Sequence, residues 1–527
     1  MTILSEAGLE FAREHLTKFA DSDFFPPLFE YEAIWSNWDE FKKSVTQSNI
    51  SKLWLPSPLA LPAPKLTDTF RIVHQLDPLS AITYTALAHD VANTVEGKRV
   101  SADQKIACSY RIDISNGAFF SEGTGYADFL DATKSQCESN PYLLTADVSD
   151  FYNQIYSHRV RNALASADAS LEHIAKDVEH VIQALGAEAS KGIPTGPNAS
   201  IIFSEAIFID IDQALLREGY SFCRYVDDIR IFGESPAELR KASEFLGEYL
   251  FVHHRLHLSA AKTKIWDSTA FLDKEFFNHY TLAVQEAFKV LGSVEYGGVA
   301  SVIHWGDEGD DEEDGMPFGI LVAQKDADPR ETISQIVERV EKTISDTGRC
   351  DLNLLKALLR KSRIFNDAGY LRIYDTYPEI FLPVYHEHCK TVRQLVEFGH
   401  KDDAIRIARE AYNSSFIGLK FIRYWSDWLA TQSADLLEGS GAHDIIRATG
   451  DMRHKASAAI ISKDLAWVRA HRGQVDQLGE WDARAVVQAS RILSKDERGP
   501  FLRNLERKTS GRDIVTEILI KYVRELP

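Results

Sequence analysis

The chain has 527 residues, 44% of them hydrophobic, which is enough for two or three domains with well-filled cores. It contains no run of about 18 apolar residues, so a membrane-spanning helix is not expected. The net charge of −19 argues against a protein that grips a long nucleic-acid duplex, because nonspecific phosphate contacts need lysine and arginine.

The negative charge lies in the first part of the chain. Residues 1–330 carry 28 lysines and arginines against 50 acidic residues, a net charge of −22, whereas residues 331–527 carry 31 against 28. We therefore expect short or covalently tethered nucleic acid rather than a tightly held free primer-template. Five cysteines without paired spacing and a start that lacks the features of a signal peptide predict a cytoplasmic protein.

Residues 1–98 are predicted to form an N-terminal helical segment that leads into the next domain. Helical periodicity fills residues 1–50, with a break at Phe25-Pro26-Pro27. The proline-rich stretch 55–66 (LPSPLALPAPKL) predicts an extended connector, because proline cannot sit inside a helix. Helix-like segments are predicted again at 68–74 and 79–95.

Residues 99–329 are predicted to form a second domain with strands and helices. Within it, residues 143–156 (LLTADVSDFYNQIY) have the pattern of a strand that ends at Asp147. An aromatic elbow containing Phe151 and Tyr152 follows and leads into a helix. If this strand lies beside the hairpin described next, Asp147 reaches the tip of that hairpin.

Residues 221–233 (SFCRYVDDIRIFG) predict a β-hairpin with two adjacent carboxylates at its tip. Asp227 and Asp228 repel each other unless a cation lies between them, so a metal site is one interpretation and a solvated turn is the other. Together with Asp147 they form a set of hard oxygen donors that suits Mg²⁺ rather than zinc. Paired metal ions held in this way are the usual device for in-line phosphoryl transfer.

Four motifs in this order resemble those of reverse transcriptases. Tyr225-Val226-Asp227-Asp228 is similar to their Tyr-X-Asp-Asp signature, and Asp147 with Phe151-Tyr152 resembles their first palm motif. Residues 192–196 (GIPTG) resemble the turn under the nascent base pair, and 257–265 (HLSAAKTKI) resemble the motif that carries a lysine. The resemblance covers residues 100–270 and implies an α+β fold, with fingers and a palm made of an antiparallel sheet and helices.

The resemblance also implies roles for individual residues. Asp147, Asp227 and Asp228 are the predicted metal ligands, and with Lys262, near the leaving pyrophosphate, they form the predicted catalytic set. Tyr152 is expected to crowd the sugar 2′ position, with a core tyrosine as the alternative. For Lys262 and for the basic fingers residues, the alternative is a solvated surface position. The predicted nucleotide-binding residues are Lys105, Arg111, Phe151, Tyr152, Gly192, Pro194, Thr195 and Gly196.

Further details resemble one branch, the abortive infection (Abi) reverse transcriptases of bacterial phage defence. Thr195 stands where most reverse transcriptases carry glutamine, Glu205 stands where many carry asparagine, and Ser109-Tyr110-Arg111 lies upstream. The resemblance implies untemplated DNA synthesis from dNTPs with Mg²⁺, or alternatively Mn²⁺. It implies a tyrosine of the protein as primer, a covalently attached single-stranded product and a homo-oligomer. Tyr31, the only tyrosine in the first 80 residues, is the predicted priming residue.

Residues 330–527 are predicted to be nearly all helical, with short polar breaks at intervals of 20–40 residues. A HEAT-like helical repeat explains this pattern and agrees with the Abi resemblance. The acidic stretch 306–315 (GDEGDDEEDG) predicts a loop before it. Two alternative functions stay open: a template-dependent reverse transcriptase with a nucleic-acid primer, and a catalytically inactive nucleic-acid-binding scaffold.

Overall fold

The computed structural model describes the chain apart from residues 1, 66–68, 122, 124, 188, 277–328, 348–349 and 510–512. The predicted acidic loop at 306–315 lies outside the described residues. In the part that is described, no helix combines the length and the apolar character needed to cross a bilayer.

The N-terminal region begins with short helices that are followed by a β-hairpin and one long helix. The predicted helices within residues 1–50, their break near Pro26 and the helix at 79–95 are confirmed. The elements are α1 (Glu6–Phe19), α2 (Glu30–Ser36), α3 (Trp38–Thr46), β1 (Leu59–Pro64), β2 (Phe70–Gln75) and α4 (Pro78–Lys98).

The helix predicted at 68–74 is wrong, because this stretch is mostly strand β2. It pairs antiparallel with β1, and Pro62 faces Ile72. Strand β1 tolerates two prolines because this sheet has only two strands, so a missing N–H can face away from the partner. The extended conformation predicted for the proline-rich stretch is confirmed.

Helix α4 is buried on all sides over residues 78–88, which explains why this half of its sequence has no charged residue. Asp77 caps its first turn by accepting a hydrogen bond from the Leu79 N–H at 3.1 Å, and Pro78 occupies the first helical position. Helix α1 lies against it, as do three helices later in the chain, α7 (Ser157–Ala167), α8 (Glu172–Leu185) and α9 (Asn198–Arg217). It is therefore the central helix of the first core.

The middle region holds an antiparallel sheet surrounded by helices. Its elements are β3 (Ile112–Ser115), β4 (Ala118–Phe120), α5 (Tyr126–Ser139), β5 (Tyr142–Ala146), α6 (Phe151–Gln154), α7 (Ser157–Ala167), α8 (Glu172–Leu185), α9 (Asn198–Arg217), β6 (Ser221–Tyr225), β7 (Asp228–Gly233), α10 (Pro236–Tyr249), β8 (Lys264–Asp267) and α11 (Ser268–Glu275). The main sheet has the order β6-β7-β5-β8, and every neighbouring pair is antiparallel. Helix α10 packs on β5 and β7. The predicted α+β fold with an antiparallel sheet is confirmed.

From residue 329 onward the described residues form helices and no strand. They are α12 (Pro329–Thr347), α13 (Leu352–Phe365), α14 (Leu371–Thr376), α15 (Tyr385–Glu397), α16 (Lys401–Asn413), α17 (Lys420–Ala430), α18 (Ala434–Gly439), α19 (Ala442–Thr449), α20 (Met452–Ser462), α21 (Leu465–His471), α22 (Glu480–Ala489), α23 (Lys495–Thr509) and α24 (Ile514–Glu525). Helices near in sequence pack on one another. The helical character is confirmed, and the HEAT-like repeat stays a prediction.

The hydrophobic interior consists of two large clusters that do not follow chain order. The first joins buried residues between positions 4 and 276 with residues between 456 and 523. The second joins Phe24, Phe25, Leu61, Ala63 and Val73 to residues between 333 and 436. The N-terminal region thus contributes to both interiors.

Candidate active site

The predicted meeting of the two aspartate motifs depends on how β5 and β7 pair. Ala146, the last residue of β5, lies opposite Ile229. Asp147 is therefore the next residue along, at the position that faces Asp228, the first residue of β7. Residues that face each other across antiparallel strands have Cβ atoms about 4.5–5.5 Å apart. The sheet thus brings together the two motifs, which are 80 residues apart in sequence.

Val226 and Asp227 form the tip of the predicted hairpin, which is confirmed. Tyr225 of β6 pairs with Asp228 of β7, so a two-residue turn connects the strands. Val226 has a φ of 51°, a left-handed conformation that a β-branched residue adopts only under strain. Asp227 is only 5% exposed, so a freely solvated turn does not describe this tip.

Two basic side chains lie on the carboxylates at this end of the sheet. The Lys262 ammonium is 3.4 Å from Asp147 Oδ1, and both side chains are about 15% exposed. The Arg230 guanidinium is 3.5 Å from Asp228 Oδ2. Burial raises the pKa of Asp228, and Arg230 and Lys262 oppose that rise. Lys262 therefore acts on both aspartate motifs, as a charge neutraliser would.

Arg230 was missed by the sequence analysis, although a signal existed. It stands two residues after Asp228 on the same strand, and side chains at that spacing share one face of a sheet. Its guanidinium also donates to Thr133 Oγ1 at 3.0 Å and lies over the Phe129 ring. A buried arginine beside an aspartate pair could have been predicted from strand alternation alone.

The donor chemistry of the three aspartates fits a hard divalent cation, because carboxylate oxygens are the ligands that Mg²⁺ prefers. Within the described ranges, no three or more His, Cys, Asp or Glu side chains are arranged so that they could hold an ion together. Asp147 and Asp228 point instead to the cations Lys262 and Arg230. The metal site stays a prediction that requires these side chains to turn.

The loop of residues 192–196 is held on both sides by backbone hydrogen bonds. The N–H groups of Gly192 and Ile193 donate to the carbonyls of Ile155 and Tyr152 at 2.7 and 2.9 Å. On the other side the His74 N–H donates to the Thr195 carbonyl at 2.8 Å, and the Thr195 N–H donates to His74 Nδ1 at 3.0 Å. The loop therefore connects the aromatic elbow to strand β2.

The atoms that surround position 196 leave room only for glycine. Its φ is 127°, and a Cβ at this position would lie 2.6 Å from Ser22 Oγ and 3.0 Å from the His74 carbonyl oxygen. No side chain fits there. Pro194 and Thr195 are buried beside it. The nucleotide contacts predicted for Gly192, Pro194, Thr195 and Gly196 stay predictions.

The aromatic elbow is buried beneath the sheet. Phe151 packs against Phe208 of α9, with ring centroids 5.1 Å apart. The Tyr152 hydroxyl is 3.4 Å from Ser204 Oγ, and the side chain is 6% exposed. The structure thus gives Tyr152 the contacts of a core residue, and its predicted role at the sugar 2′ position is untested.

Lys105 and Arg111 have partners outside the aspartate group. The Lys105 ammonium is 3.0 Å from Asp128. The Arg111 guanidinium forms an ion pair with Glu96 and donates to the carbonyls of Val100 and Ala107 at 2.8 and 3.1 Å. These contacts give Arg111 a structural role in the described fold. The triphosphate contacts predicted for both side chains have no support here.

The β1–β2 hairpin is a better candidate element for substrate contact, and the sequence analysis missed it. It is hydrogen-bonded to the 192–196 loop through His74, it carries the basic residues Lys65 and Arg71, and Phe70 and Ile72 are exposed on one of its faces. The alternation in residues 70–75 (FRIVHQ) was the available signal. The sequence analysis predicts a helix there instead.

The predicted priming residue Tyr31 lies in the first hydrophobic cluster, stacked on Trp35 at 5.2 Å. Its hydroxyl is buried and has no hydrogen-bond partner among the described residues. Burial, reinforced by Asp21, Asp77 and Glu30, raises its pKa well above the usual value. A buried phenol beside carboxylates is a poor nucleophile, so the structure does not support Tyr31 as the primer.

Residues 68–294 match the family described as reverse transcriptase (RNA-dependent DNA polymerase). A comparison with curated proteins finds no match. Among solved structures, telomerase of Candida albicans, solved with a TWJ fragment of telomeric RNA, shares 10% identity over 75% of this chain and 70% of that chain, with a TM-score of 0.31. Apo telomerase of Candida tropicalis shares 11% identity over 76% and 72%, with a TM-score of 0.32.

Proposed function

Because the chain carries a reverse transcriptase domain, we propose that it is a DNA nucleotidyltransferase of the abortive infection type. In this proposal it acts in antiphage defence in the cytoplasm as a homo-oligomer. It joins dNTPs without a template, starting from a tyrosine hydroxyl of the protein, and the single-stranded product stays covalently attached. The observation that carries the enzymatic part is the β5–β7 register, which places Asp147 opposite Asp228.

The proposed reaction transfers a nucleotidyl group to a hydroxyl. The hydroxyl gives its proton to water, its oxygen forms a bond to the α-phosphorus of a dNTP, the bond between that phosphorus and the bridging oxygen breaks, and pyrophosphate leaves. Mg²⁺ or Mn²⁺, when bound by Asp147, Asp227 and Asp228, supplies positive charge that activates the hydroxyl and stabilises the leaving oxygens. Lys262, whose ammonium is at Asp147, neutralises pyrophosphate and gives it a proton.

Two features support a tethered primer over a captured primer-template. The first 330 residues carry a net charge of −22, which repels a free polyanion. A hydroxyl of the same assembly needs no such capture, because proximity replaces binding. Thr195 also offers a short, buried side chain where a glutamine would help to hold a template base.

Purified protein incubated with labelled dNTPs and Mg²⁺ alone tests this proposal. We expect label that migrates with the protein after denaturation, and a nucleotide adduct on a tyrosine by mass spectrometry. Asp227→Ala should abolish labelling while leaving the fold intact, since removing one of several adjacent carboxylates relieves repulsion. Asp103→Ala, an exposed aspartate, is the matched control. Labelling by Asp227→Ala at the wild-type level would refute the role of the aspartates.

A template-dependent enzyme with a nucleic-acid primer is the second candidate. The β1–β2 hairpin favours it, because this element carries Lys65, Arg71 and the exposed Phe70 beside the 192–196 loop. Strict dependence of synthesis on an added primer-template would favour this candidate. If Asp227→Ala makes no DNA and still protects cells against phage, the chain is a scaffold instead.

A further inference from the structure

The turn that carries Asp227 is strained and has to be held by its surroundings. Val226 has a φ of 51°. A non-glycine residue held in an unfavourable backbone region costs about 1–3 kcal/mol and persists only where neighbouring contacts enforce it. The contacts that enforce this conformation matter for Asp227, because Asp227 follows directly and its direction depends on the backbone of Val226.

Two hydrogen bonds hold the backbone at Val226, one to its N–H group and one to its carbonyl group. Its N–H donates to Ser109 Oγ at 3.0 Å. Its carbonyl accepts from Arg224 Nη1 at 3.3 Å. Ser109 comes from the segment that runs beside β6, where the Cys108 N–H donates to the Arg224 carbonyl at 3.0 Å.

Ser109 and Arg224 meet on one carboxylate, Glu205 of α9. Ser109 Oγ donates to Glu205 Oε1 at 2.8 Å, and Arg224 donates to both Glu205 oxygens at 3.1 and 2.8 Å. Arg224 also forms a two-point contact with Asp212 at 2.7 and 2.8 Å. Each of these four side chains is at most 1% exposed, so the contacts are shielded from water.

A fifth residue balances the charge of this group. The Arg99 guanidinium lies 3.0 Å from Glu205 and donates to the Ser109 carbonyl at 2.6 Å. Arg99 also lies 3.0 Å from Glu96, which pairs with Arg111, so three arginines face three carboxylates. Burial alone would raise the pKa of Glu205, but Arg224 and Arg99 lower it below its usual value. Burial raises the pKa of Asp212, and Arg224 opposes that rise.

We infer that Ser109, Glu205 and Arg224 are positioning residues that impose the left-handed conformation of Val226 and so direct Asp227 toward Asp147. This inference rests on the proposed function for its catalytic consequence. Its structural part, the support of the turn by Ser109, stands on the hydrogen bonds alone. Other serines are also buried, but the inference concerns the Ser109 hydroxyl because this hydroxyl accepts from the Val226 N–H.

The test is a double-mutant cycle between Ser109→Ala and Val226→Gly. Ser109→Ala removes the hydroxyl and leaves Glu205 paired with Arg224 and Arg99. We expect kcat for nucleotide addition to fall about tenfold while the KM for dNTP changes less than twofold, because the dNTP contacts stay. Glycine adopts a positive φ without strain. In the Val226→Gly background, Ser109→Ala should therefore lower kcat less than twofold.

Ser80→Ala is the matched control, because Ser80 is also fully buried and its hydroxyl has no hydrogen-bond partner among the described residues. It should leave kcat unchanged. Equal losses from Ser109→Ala in the two backgrounds, or a loss that lies in KM, would overturn the inference.

Hydrogen exchange of the nucleotide-free protein gives a readout that does not need activity. Ser109→Ala should speed exchange in a peptide covering residues 221–228 at least tenfold and leave a peptide covering 142–147 unchanged. Unchanged exchange at 221–228 would refute the inference. If the wild-type protein adds no nucleotide at all, the proposed function fails, and this measurement still decides whether Ser109 holds the turn.

Discussion

Two fully buried arginines, Arg224 and Arg484, each form ion pairs with two carboxylates, but they have different structural roles. Arg224 binds Glu205 and Asp212, and Arg99 adds a second cation. Arg484 of α22 forms ion pairs with Asp77 at the start of α4 and with Asp513 before α24. The first group shapes a turn within one domain. The second connects parts of the chain 407 residues apart in sequence.

The two groups also differ in charge balance. Among the described residues around Arg484, the carboxylates of Asp77, Asp513, Glu30 and Asp21 outnumber the cations of Arg484 and Arg453. Burial raises the pKa of Asp77 to about 6 and that of Asp21 to about 7. In the Arg224 group the pKa of Glu205 is lowered and that of Asp212 is raised, so the two shifts there have opposite directions.

The largest expected effect is that of Arg224→Met. This change removes the two-point contact to Asp212 and one of the cations at Glu205 in a buried site, and breaking a buried ion pair costs about 3–5 kcal/mol. Urea unfolding at pH 8 should show a loss at the upper end of that range. Arg240→Met, which removes an exposed arginine, is the control and should change little. A loss below about 1 kcal/mol would contradict this account of the Arg224 group.

Arg484→Met should cost less, about 3 kcal/mol at pH 8, and its cost should depend on pH. Without the arginine, Asp77 can take up a proton and become neutral, which removes the cost of an unpaired buried charge. Protonation is easier at low pH. At pH 5.5 we therefore expect the loss to shrink by about 1 kcal/mol. Equal losses at pH 5.5 and pH 8 would contradict proton uptake by Asp77.

The part of the wild-type stability that depends on Asp21 should fall as pH rises from about 5 to 7, whereas His15 and His388, whose pKa values burial lowers to about 4 and about 3, act in the opposite direction. The pKa of Asp21 is raised to about 7 in the folded protein from 3.8, so between these values the folded state binds more protons than the unfolded state. Stability that comes from this proton is present at low pH and is lost as pH rises through the folded pKa. Asp21→Asn should therefore make the slope of the unfolding free energy against pH more positive by about 1 kcal/mol per pH unit. Asp103→Asn, at an exposed site, should leave the slope unchanged.

The smallest effect is expected for Arg469→Met. Arg469 makes a similar two-point contact, to Glu497 at 2.9 and 3.0 Å, but its side chain is 51% exposed. Exposed ion pairs contribute about 0–1 kcal/mol because water screens them. Urea unfolding at low and high salt should show a loss below about 1 kcal/mol that disappears in salt. A loss comparable with that of Arg224→Met would show that burial does not determine how much an ion pair contributes to the free energy of unfolding.

The aspartates could be predicted from sequence because each stands at the end of a strand with a clear pattern. Asp147 closes an apolar run, and Asp227 and Asp228 interrupt a second one, so local alternation located the strand ends. That the two strands are neighbours came from the order of the motifs. The pairing of β5 with β7 agrees with it.

The supporting charges could not be predicted in the same way, because their partners lie on different elements. Glu205 and Arg224 are 19 residues apart, on α9 and β6. A signal was nevertheless present: Glu205 and Asp212 each lie between apolar residues of α9 (NASIIFSEAIFIDIDQALLR), and buried charges need partners. The sequence shows that such partners exist, but only the fold shows that they are Arg224 and Arg99.

The β1–β2 hairpin shows a second reason why the sequence alone does not predict every element. Its first strand contains prolines that predict an irregular segment, and only its partner strand shows that these residues are paired. Prolines are tolerated in a two-stranded sheet. Proline-rich segments beside an alternating stretch should therefore be considered as edge strands.

The N-terminal contribution to both interiors constrains how the chain is made. Trp425 donates its indole N–H to the carbonyl of Phe24, a contact that spans 401 residues. A ribosome adds about 5–20 residues per second, so Phe24 waits on the order of 20–80 s for this partner to be synthesised. During that interval its apolar neighbours face solvent, and a chaperone that shields nascent chains would find its binding site there.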